Sequence, residues 1–344
     1  MNREYLLSQH YLPKTKLYPM LILAPMQGLT ELLFRKTFSR CYPGAFDLSI
    51  SPFLSLTHGN LKDAGKKVED VMPELNRGSM PVIPQLLGHE IDGFIDLSNR
   101  LFDLGYNEVN WNMGCPMRRV AGKHRGSGIL PYPDEVREIL DAVVPSLKPQ
   151  LSVKVRLGYR TSDEIDSIIP ILNDYPLASV TMHPRIGKQM YSGTPDLKRF
   201  AEILPMIKHP VIYNGDVNSV YDYKRIRTLF PTVKDVMIGR GALYNPQLPT
   251  LIKQHCIEDF KDNESVKSVE DFNNVKPMPA EQFINELTDD ILKLNIPEQA
   301  KIRKIKEYWC LLSKSLHGSE EYKRRLLYCE DLEAMRTLIL EMTK

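Results

Sequence analysis

Eight short apolar segments, separated by amphipathic helical patterns, occupy the first 245 residues of this 344-residue chain. Segments of this length that alternate with helices are typical of parallel strands, which are buried on both faces of a sheet. The alternation, repeated eight times, predicts an α/β fold of the (β/α)8 class, a TIM barrel. The predicted strands are Leu21–Ala24, Phe46–Ile50, Val82–Leu86, Glu108–Asn112, Leu151–Val155, Ser179–His183, Val211–Asn214 and Asp235–Ile238.

Only helical patterns follow residue 245, apart from a polar stretch, Lys261–Pro279, that we interpret as a loop. We therefore predict two domains, a catalytic barrel over residues 1–245 and an all-helical domain over residues 246–344. Residues 301–325 hold eight Lys or Arg against three acids. This surplus is typical of a solvated helix face, and equally of a surface that binds nucleic-acid phosphates. The cations that we assign to nucleic-acid binding are Lys301, Arg303 and Lys304.

The five cysteines are widely spaced and odd in number, which argues against a disulfide framework and against a CxxC metal site. The N-terminal segment lacks the apolar core of a signal peptide, and no later segment is apolar enough to span a bilayer. A net charge of +2 does not by itself indicate nucleic-acid binding. We expect a cytoplasmic monomer without a metal ion or a membrane anchor.

Polar and charged residues collect at the predicted C-terminal ends of the strands, where barrels of this class carry their active sites. Each has a structural explanation when taken singly, because buried polar groups usually find a partner. Together they bring amide, ammonium, guanidinium, imidazole and thiol groups to one rim, which we predict to be the active site. The rim residues are Pro25, Met26, Gln27, Gln85, Asn112, Cys115, Lys154, Arg156, His183, Asn214, Gly215, Asp216, Gly239 and Arg240.

Two short glycine motifs, Asn214–Asp216 and Gly239–Gly241, follow predicted strands seven and eight, the usual phosphate position of this fold. Glycine lets backbone N–H groups approach an anion, and Arg240 supplies a bidentate fork. Gln85 is suited to hydrogen-bond the pyrimidine edge of a flavin ring, and Lys154 to stabilise negative charge on the reduced ring. Because the sequence also lacks a Rossmann fingerprint, these features indicate FMN as the cofactor.

The segment Asn112–Pro116, the Cys115 turn, places a thiol between a glycine and a proline. Gly114 permits backbone angles that other residues avoid, and Pro116 fixes its own φ. Cys115 is either a buried structural cysteine, which is common, or a reactive group held towards the rim. The other rim residues favour the reactive group.

An ordered series of motifs resembles the tRNA-dihydrouridine synthase family. The resemblance runs from about Leu21 to Pro246, and the helical tail is similar to the C-terminal tRNA-binding domain of that family. The motifs are Leu23–Thr30 with Phe34–Arg35, Gln85–Gly88, Asn112–Pro116, Gly126–Gly128, Val153–Gly158, Gln189–Gly193, Asn214–Asp216 and Met237–Gly241.

The resemblance implies an FMN enzyme that reduces the C5–C6 double bond of D-loop uridines in tRNA, with NADPH as electron donor. It implies that Cys115 protonates C5 as a thiol, since a thiol with a pKa of about 8.5 is protonated at neutral pH. It also implies nucleotide contacts for Asn112, Arg156 and Arg185, and flavin contacts for the other rim residues. A uridine inside folded tRNA has to be extruded to reach such a site.

One motif departs from the family pattern. The segment His183–Ile186 reads His-Pro-Arg-Ile, where the family often has His-Gly-Arg-Thr. The proline alters the turn and a hydroxyl is missing, which affects the expected substrate contacts and not the flavin site. The segment Arg303–Trp309 is similar to the corresponding helix of the bacterial subgroup that acts on position 16 of the D-loop.

Two other functions remain open from the sequence. A flavin-dependent dihydroorotate or dihydropyrimidine dehydrogenase shares the thiol and the flavin, but a free base gives no reason for a helical tail of roughly 100 residues. An RNA-binding protein without chemistry accounts for the tail, but not for Gln85, Cys115, Lys154 and Arg240 together.

Overall fold

The structure is a computed structural model that describes residues 19–55, 68–261, 276–316 and 319–343. In these residues ten strands form one sheet, and every strand pair is parallel. The strands are β1 (Leu21–Leu23), β2 (Leu48–Ile50), β3 (Leu54–Ser55), β4 (Val82–Ile83), β5 (Gln85–Leu87), β6 (Glu108–Met113), β7 (Gln150–Gly158), β8 (Val180–Ile186), β9 (Val211–Tyr213) and β10 (Asp235–Ile238).

The sheet is curled, and its two edges are formed by neighbouring segments of the chain. Strands β3 and β5 lie at one edge, and β2 and β4, which directly precede them in the sequence, lie at the other. The strand order is β3-β5-β6-β7-β8-β9-β10-β1-β2-β4. Only Pro84 separates β4 from β5, and it interrupts the strand because proline has no N–H for the ladder. The carbonyl of Pro84 still accepts from the N–H of Asn110 at 2.9 Å. The fold is therefore an α/β fold around a curled parallel sheet.

Helices follow the strands and cover the outer side of the sheet. Amphipathic patterns account for them, since their buried residues join the strands in one large core. In the described residues they are α1 (Leu32–Cys41), α2 (Ile91–Asp103), α3 (Arg118–Ala121), α4 (Pro133–Val143), α5 (Glu164–Leu172), α6 (Leu197–Ile203), α7 (Val220–Leu229), α8 (Arg240–Tyr244), α9 (Leu248–Lys261), α10 (Ala280–Leu292), α11 (Glu298–Leu312), α12 (Ser319–Tyr328) and α13 (Leu332–Met342).

The inner side of the sheet is divided into an apolar half and a polar half. Successive residues of a strand face opposite sides, and registered residues of parallel partners share a side. On β1, β2, β9 and β10 the inner residues form a small apolar cluster, Ile22, Ala24, Leu48, Ile50, Ile212 and Met237. On β5 to β8 the inner residues are polar: Gln85, Asn110, Asn112, Ser152, Lys154, Thr181 and His183.

The helices after residue 279 pack on α1 and on the loop that follows β1. The ring centroid of Phe283 in α10 lies 5.9 Å from that of Phe34 in α1. Tyr308 of α11 donates a hydrogen bond from its hydroxyl to the carbonyl of Leu29 at 2.5 Å. These helices thus support the loop that carries the rim residues Pro25–Gln27.

Helix α9, directly after residue 245, is tied to the sheet by a buried ion pair. The Lys253 side chain, 1% exposed, donates to Asp47 at 2.8 Å and to the Gly44 carbonyl at 2.6 Å. Asp47 also accepts from the N–H of Leu21, the first residue of β1, at 2.7 Å. Helix α9 therefore contacts the residues that lead into β2, and it also packs on α7 and α8. The domain division at residue 245 stays a prediction.

The predicted strands all overlap observed ones, with differences at their ends. Strands β7 and β8 continue to Gly158 and Ile186, which are registered with each other. The helix α2 is followed by Gly105 at φ +101°. Most of the predicted loop Lys261–Pro279 lies outside the described residues. In the described ranges no helix is long and apolar enough to cross a membrane.

Candidate active site

The side chain of Asn112 builds the Cys115 turn. Its Oδ1 atom accepts hydrogen bonds from the N–H of Gly114, at 3.1 Å, and from that of Cys115. The N–H and the hydroxyl of Ser127 donate to the Cys115 carbonyl at 3.0 and 3.1 Å. Gly126 has φ +58°, and a Cβ there would lie 2.5 Å from that carbonyl oxygen, so the position requires glycine. Contacts on both sides therefore hold the thiol at the end of β6.

Burial raises the pKa of the Cys115 thiol above its ordinary value. A backbone hydrogen bond at Met117 and the charge of Arg156 act in the opposite direction without cancelling the effect of burial. The group is therefore a neutral thiol at pH 7. A protonated thiol is a proton donor and a poor nucleophile, which suits the role of an acid.

Arg156 joins the Cys115 turn to the loop after β8. It is 2% exposed, and its Nε donates to the carbonyl of Gly114 at 2.7 Å. Its Nη1 donates to the carbonyls of Ile186 and Met190 at 3.1 and 2.8 Å. Burial lowers its pKa to about 10, so the guanidinium is charged at neutral pH. The structure thus uses Arg156 to hold two loops together, and its predicted nucleotide contact stays a prediction.

Lys154 is registered with Asn112 across β6 and β7. Its Nζ donates to Oδ1 of Asn214 at 2.6 Å, and Nδ2 of Asn214 donates to the carbonyl of Met237 at 2.9 Å. Burial, and next the charge of Arg156, lower the pKa of Lys154 to about 7. Near neutral pH this group is divided between ammonium and amine, and a neighbouring anion favours the ammonium.

A second group of rim residues surrounds Asp216. Nη1 of Arg185 lies 3.2 Å from Nε2 of His183 and 3.0 Å from Asp216, and Nη2 of Arg240 lies 2.8 Å from Asp216. Burial, together with the surrounding cations, lowers the pKa of His183 well below its usual value, so the imidazole is neutral. Burial acts to raise the pKa of Asp216, but hydrogen bonds and charge from Arg185 and Arg240 outweigh it and lower that pKa.

The loop after β1 meets the end of β10 at Gly239. A Cβ at Gly239 would lie 3.6 Å from Sδ of Met26. The loop Pro25–Gln27 runs from partly buried to exposed along this side of the rim. Position 215 requires glycine, because a Cβ there would lie 2.1 Å from the hydroxyl oxygen of Tyr213. The structure therefore brings the two predicted glycine motifs to one side of the rim.

Gln85 is fully buried, and both ends of its amide are engaged by neighbouring amides. Its Nε2 donates to Oδ1 of Asn110 at 2.8 Å, and its Oε1 accepts from Nδ2 of Asn112 at 2.7 Å. The flavin contact that the sequence predicts for Gln85 stays a prediction. The geometry gives Gln85 a second role, because it holds Asn112 in place.

Tyr191 is a rim residue that the sequence prediction missed. The residue is 48% exposed, and the guanidinium carbons of Arg240 and Arg156 lie 4.9 and 5.5 Å from the ring centroid. Cations at this distance are attracted to the face of an aromatic ring. The motif Gln189–Gly193 contains this tyrosine and is the signal by which it could have been found.

The basic residues of α11 have different surroundings. Lys301 donates to the carbonyl of Leu292 at 2.6 Å, and Lys304 pairs with Glu31 at 3.0 Å. Arg303 is exposed. Two of the three cations therefore make contacts inside the fold, and nucleic-acid binding by all three stays a prediction.

The charge at the rim fits an anionic cofactor. Each of four cations lowers the pKa of the same buried imidazole, and the carboxylate of Asp216 pairs with two of them. A phosphate or a negatively charged ring would reduce the repulsion in this cluster. The cations are Lys154, Arg156, Arg185 and Arg240. In the described residues no group of three or more His, Cys, Asp or Glu is placed to hold a metal ion.

A curled parallel sheet, a thiol held in a turn and a cationic rim are typical of an α/β enzyme whose site at the C-terminal ends of the strands suits an anionic ligand. The family model described as dihydrouridine synthase (Dus) matches residues 22–341. The chain belongs to this family, and it is a flavin-dependent oxidoreductase.

Named relatives and a solved structure extend the comparison. The chain is 27% identical over 334 residues to tRNA-dihydrouridine(16) synthase of Neisseria meningitidis serogroup B, with 94% of this chain and 95% of the relative covered. It is 30% identical over 240 residues to tRNA-dihydrouridine(16) synthase of Shewanella oneidensis, with 67% and 74% covered. The structure of histamine dehydrogenase from Rhizobium sp. 4-9 superimposes with TM-score 0.52 and 10% identity over 80% of this chain and 50% of that chain. This last likeness supports the fold alone.

Proposed function

We propose that this chain is a tRNA-dihydrouridine synthase that reduces the C5–C6 double bond of a D-loop uridine, with FMN as cofactor and NADPH as electron donor. The observation that carries the proposal is the thiol of Cys115, held by Asn112 beside the partly buried Lys154, with a pKa that burial raises. A free-base dehydrogenase is not favoured, because the family match continues to residue 341 and includes the C-terminal helices. Binding of RNA without chemistry is not favoured either.

Cys115 is the proton donor in this proposal. When bound, the reduced flavin supplies a hydride to C6 of the uracil. The Cys115 thiol gives its proton to C5, so that one hydride and one proton add across the double bond. Oδ1 of Asn112 accepts from two backbone N–H groups, and one hydrogen of Nδ2 is donated to Gln85. Asn112 therefore offers the second hydrogen of Nδ2 to a ligand, which suits a uracil carbonyl.

The cationic side of the rim is the flavin site in this proposal. Backbone at Gly215 and Gly239, with the guanidinium of Arg240, would hold the phosphate, because glycine leaves room for close approach. Lys154 would face negative charge on the ring, and the neutral imidazole of His183 would serve as a hydrogen-bonding group without adding charge.

The pH dependence of flavin binding tests the role of Lys154. Its pKa of about 7 lies below the ordinary value, so the attracting ammonium is present at pH 6 and mostly lost at pH 8. We expect FMN to bind the flavin-free chain more tightly at pH 6 than at pH 8, by up to about ten-fold from this group. Quenching of flavin fluorescence measures the affinity. The variant Lys154→Met corrects for titration of FMN itself, and an equal pH dependence in both proteins would contradict the assignment.

The substrate that we propose is tRNA, with uridine 16 as the target. Both tRNA-dihydrouridine(16) synthases compared above support this position, one of them along 95% of its length. We propose that residues 246–344, whose described helices are α9–α13, form the tRNA-binding domain. They would stand on a closed (β/α)8 barrel in which β2 with β3, and β4 with β5, count as single strands. The five cysteines, all within the described residues, form no disulfide, which agrees with the cytoplasmic location that we propose. We also propose a monomer.

Arg303 and Lys304 are neighbours with different expected roles. Arg303 is exposed, so Arg303→Ala should weaken tRNA binding and reduce its salt slope by about one unit, at unchanged melting temperature. Lys304 is bonded to Glu31, so Lys304→Ala should lower the melting temperature as well. Filter binding at several salt concentrations and thermal unfolding measure the two effects. An unchanged salt slope in Arg303→Ala would assign that arginine to the solvated face of α11.

The function itself is tested by incubating the protein with FMN, NADPH and unmodified tRNA transcripts, then mapping dihydrouridine by mass spectrometry. Dihydrouridine at position 16 is the expected product. Dihydrouridine at another D-loop position would contradict uridine 16 as the target and would still support the reaction. Oxidation of NADPH that is stimulated by free pyrimidines, with no modified tRNA, would favour the free-base dehydrogenase instead.

A further inference from the structure

A row of hydrogen-bonded side chains runs along the polar half of the inner sheet, away from the Cys115 turn. Nδ2 of Asn112 donates to Oε1 of Gln85 at 2.7 Å, and Nε2 of Gln85 donates to Oδ1 of Asn110 at 2.8 Å. Nδ2 of Asn110 then donates to Oγ of Ser152 at 2.9 Å. All three amides therefore point in the same direction, each with its N–H groups towards Ser152.

Both ends of the row impose this direction. At the upper end, the N–H groups of Gly114 and Cys115 require an acceptor, and Oδ1 of Asn112 supplies it. At the lower end, the single hydrogen of the Ser152 hydroxyl is donated to the carbonyl of Val109 at 3.4 Å, which leaves the hydroxyl oxygen to accept from Asn110. A flipped amide anywhere between these ends would place two donors or two acceptors against each other.

We propose that Asn110 and Ser152 are positioning residues, which through Gln85 fix the place and direction of the Asn112 amide and hence of the Cys115 thiol. The effect on the thiol rests on these contacts alone, whereas the effect on uridine reduction rests on the proposed function.

Burial makes each link of the row necessary. Gln85 and Asn110 are fully buried and Ser152 is 1% exposed, so water does not replace a lost partner. Burial also raises the pKa of Glu108, at the lower end of the row, to about 7. Loss of one hydrogen bond therefore leaves a buried amide without its partner. We expect the neighbouring side chains of the row to shift in response, including Asn112.

The fold itself does not require this row to be polar. The other half of the same inner side is filled by aliphatic residues such as Ile22, Ile50 and Ile212. Thr181, also on this polar side, has a buried hydroxyl with no hydrogen-bond partner in the described part of the chain. The continuous, single-direction row from Ser152 to the Cys115 turn is therefore distinct from general burial of polar groups, and Thr181 offers a matched control.

Alkylation of Cys115 in the flavin-free protein tests the inference without any enzyme assay. Asn110→Leu and Ser152→Ala should loosen the turn and let the pKa of the thiol fall towards its ordinary value, at about ten-fold in thiolate per pKa unit. We expect iodoacetamide to modify Cys115 several-fold faster in both variants at pH 8. Mass spectrometry of the Cys115 peptide measures the rate, with the Cys310 peptide as internal reference.

Two conservative variants make the test specific. Ser152→Thr keeps the hydroxyl that accepts from Nδ2 of Asn110 and should keep the wild-type alkylation rate. Thr181→Val removes a buried hydroxyl outside the row and should also behave as wild type. A rate increase in Thr181→Val equal to that in Ser152→Ala would overturn the inference, because general packing would then explain both. Wild-type rates in Ser152→Ala and Asn110→Leu would overturn it as well, and Ser152→Ala alone decides if Asn110→Leu does not fold.

Turnover on tRNA separates the inference from the proposed function. In the two disruptive variants kcat should fall while KM for tRNA stays unchanged, since the row lies beneath the rim and away from the exposed surface. A wild-type protein that makes no dihydrouridine would contradict the proposed function and leave the alkylation result valid. A rise in KM alone, with unchanged kcat and unchanged alkylation, would contradict the inference.

Discussion

Cys115→Ala is expected to slow uridine reduction by about 10²- to 10⁴-fold, the range for loss of a positioned acid. The thiol is neutral at pH 7 because burial raises its pKa, and Asn112 and Ser127 hold its turn from both sides. Flavin binding should persist, because the cationic side of the rim is unchanged. Single-turnover reduction of tRNA by the flavin-reduced variant measures the chemical step directly.

A second cysteine provides the control for this result. Cys310 in α11 is also a free thiol, and partly buried, so Cys310→Ala should reduce tRNA at the wild-type rate. If Cys115→Ala also keeps the wild-type rate with FMN bound, then Cys115 is a structural cysteine and another group protonates C5.

Lys253→Met is expected to lower the free energy of unfolding by about 3 to 5 kcal/mol, the usual effect of breaking a buried ion pair. The side chains of Lys253 and Asp47 are 1% and 5% exposed and lie 2.8 Å apart. The substitution leaves the Asp47 charge buried while it still accepts from Leu21 at the start of β1. Urea unfolding followed by circular dichroism measures the change.

Two further variants show whether burial is the cause. The double variant Asp47→Asn with Lys253→Met no longer carries the buried negative charge at position 47. The amide oxygen introduced there still accepts from Leu21, so much of the stability should return. Lys148 pairs with Asp103 at the same 2.8 Å, but these side chains are 50% and 61% exposed, so Lys148→Met should cost less than about 1 kcal/mol. A loss in Lys253→Met no larger than that in Lys148→Met would contradict the role of the buried pair.

The sequence predicted the strands well because their signal is local. Apolar segments bounded by turns indicated eight strands, but the short strand β3 and the interruption of the third predicted strand at Pro84 were not predicted. The candidate site followed from the same pattern, since the C-terminal ends of parallel strands meet at one rim. Asn110 was missed although it lies between Glu108 and Asn112 at strand spacing. The prediction used only residues at the C-terminal ends of the strands, and Asn110 is an inner residue two positions before that end.

The roles of individual cations were decided by the tertiary structure. The sequence placed Lys301, Arg303 and Lys304 on a basic helix, but Lys304 pairs with Glu31, 273 positions away along the chain. Arg156 was assigned to the nucleotide, and the structure directs its donors to carbonyls of two loops. A contact between such distant segments depends on how helices and loops pack, and no local pattern encodes it.

The sequence by itself determined the order of strands and helices, the thiol between Gly114 and Pro116, and the family, because these depend on residue type and spacing. Only the tertiary structure decided which polar groups pair, that Asp216 joins Arg185 to Arg240, and in which direction the amides from Asn112 to Asn110 point. The physical reason is that a hydrogen bond forms or fails over less than about 1 Å. Such distances between strands are set by the packing of the whole sheet.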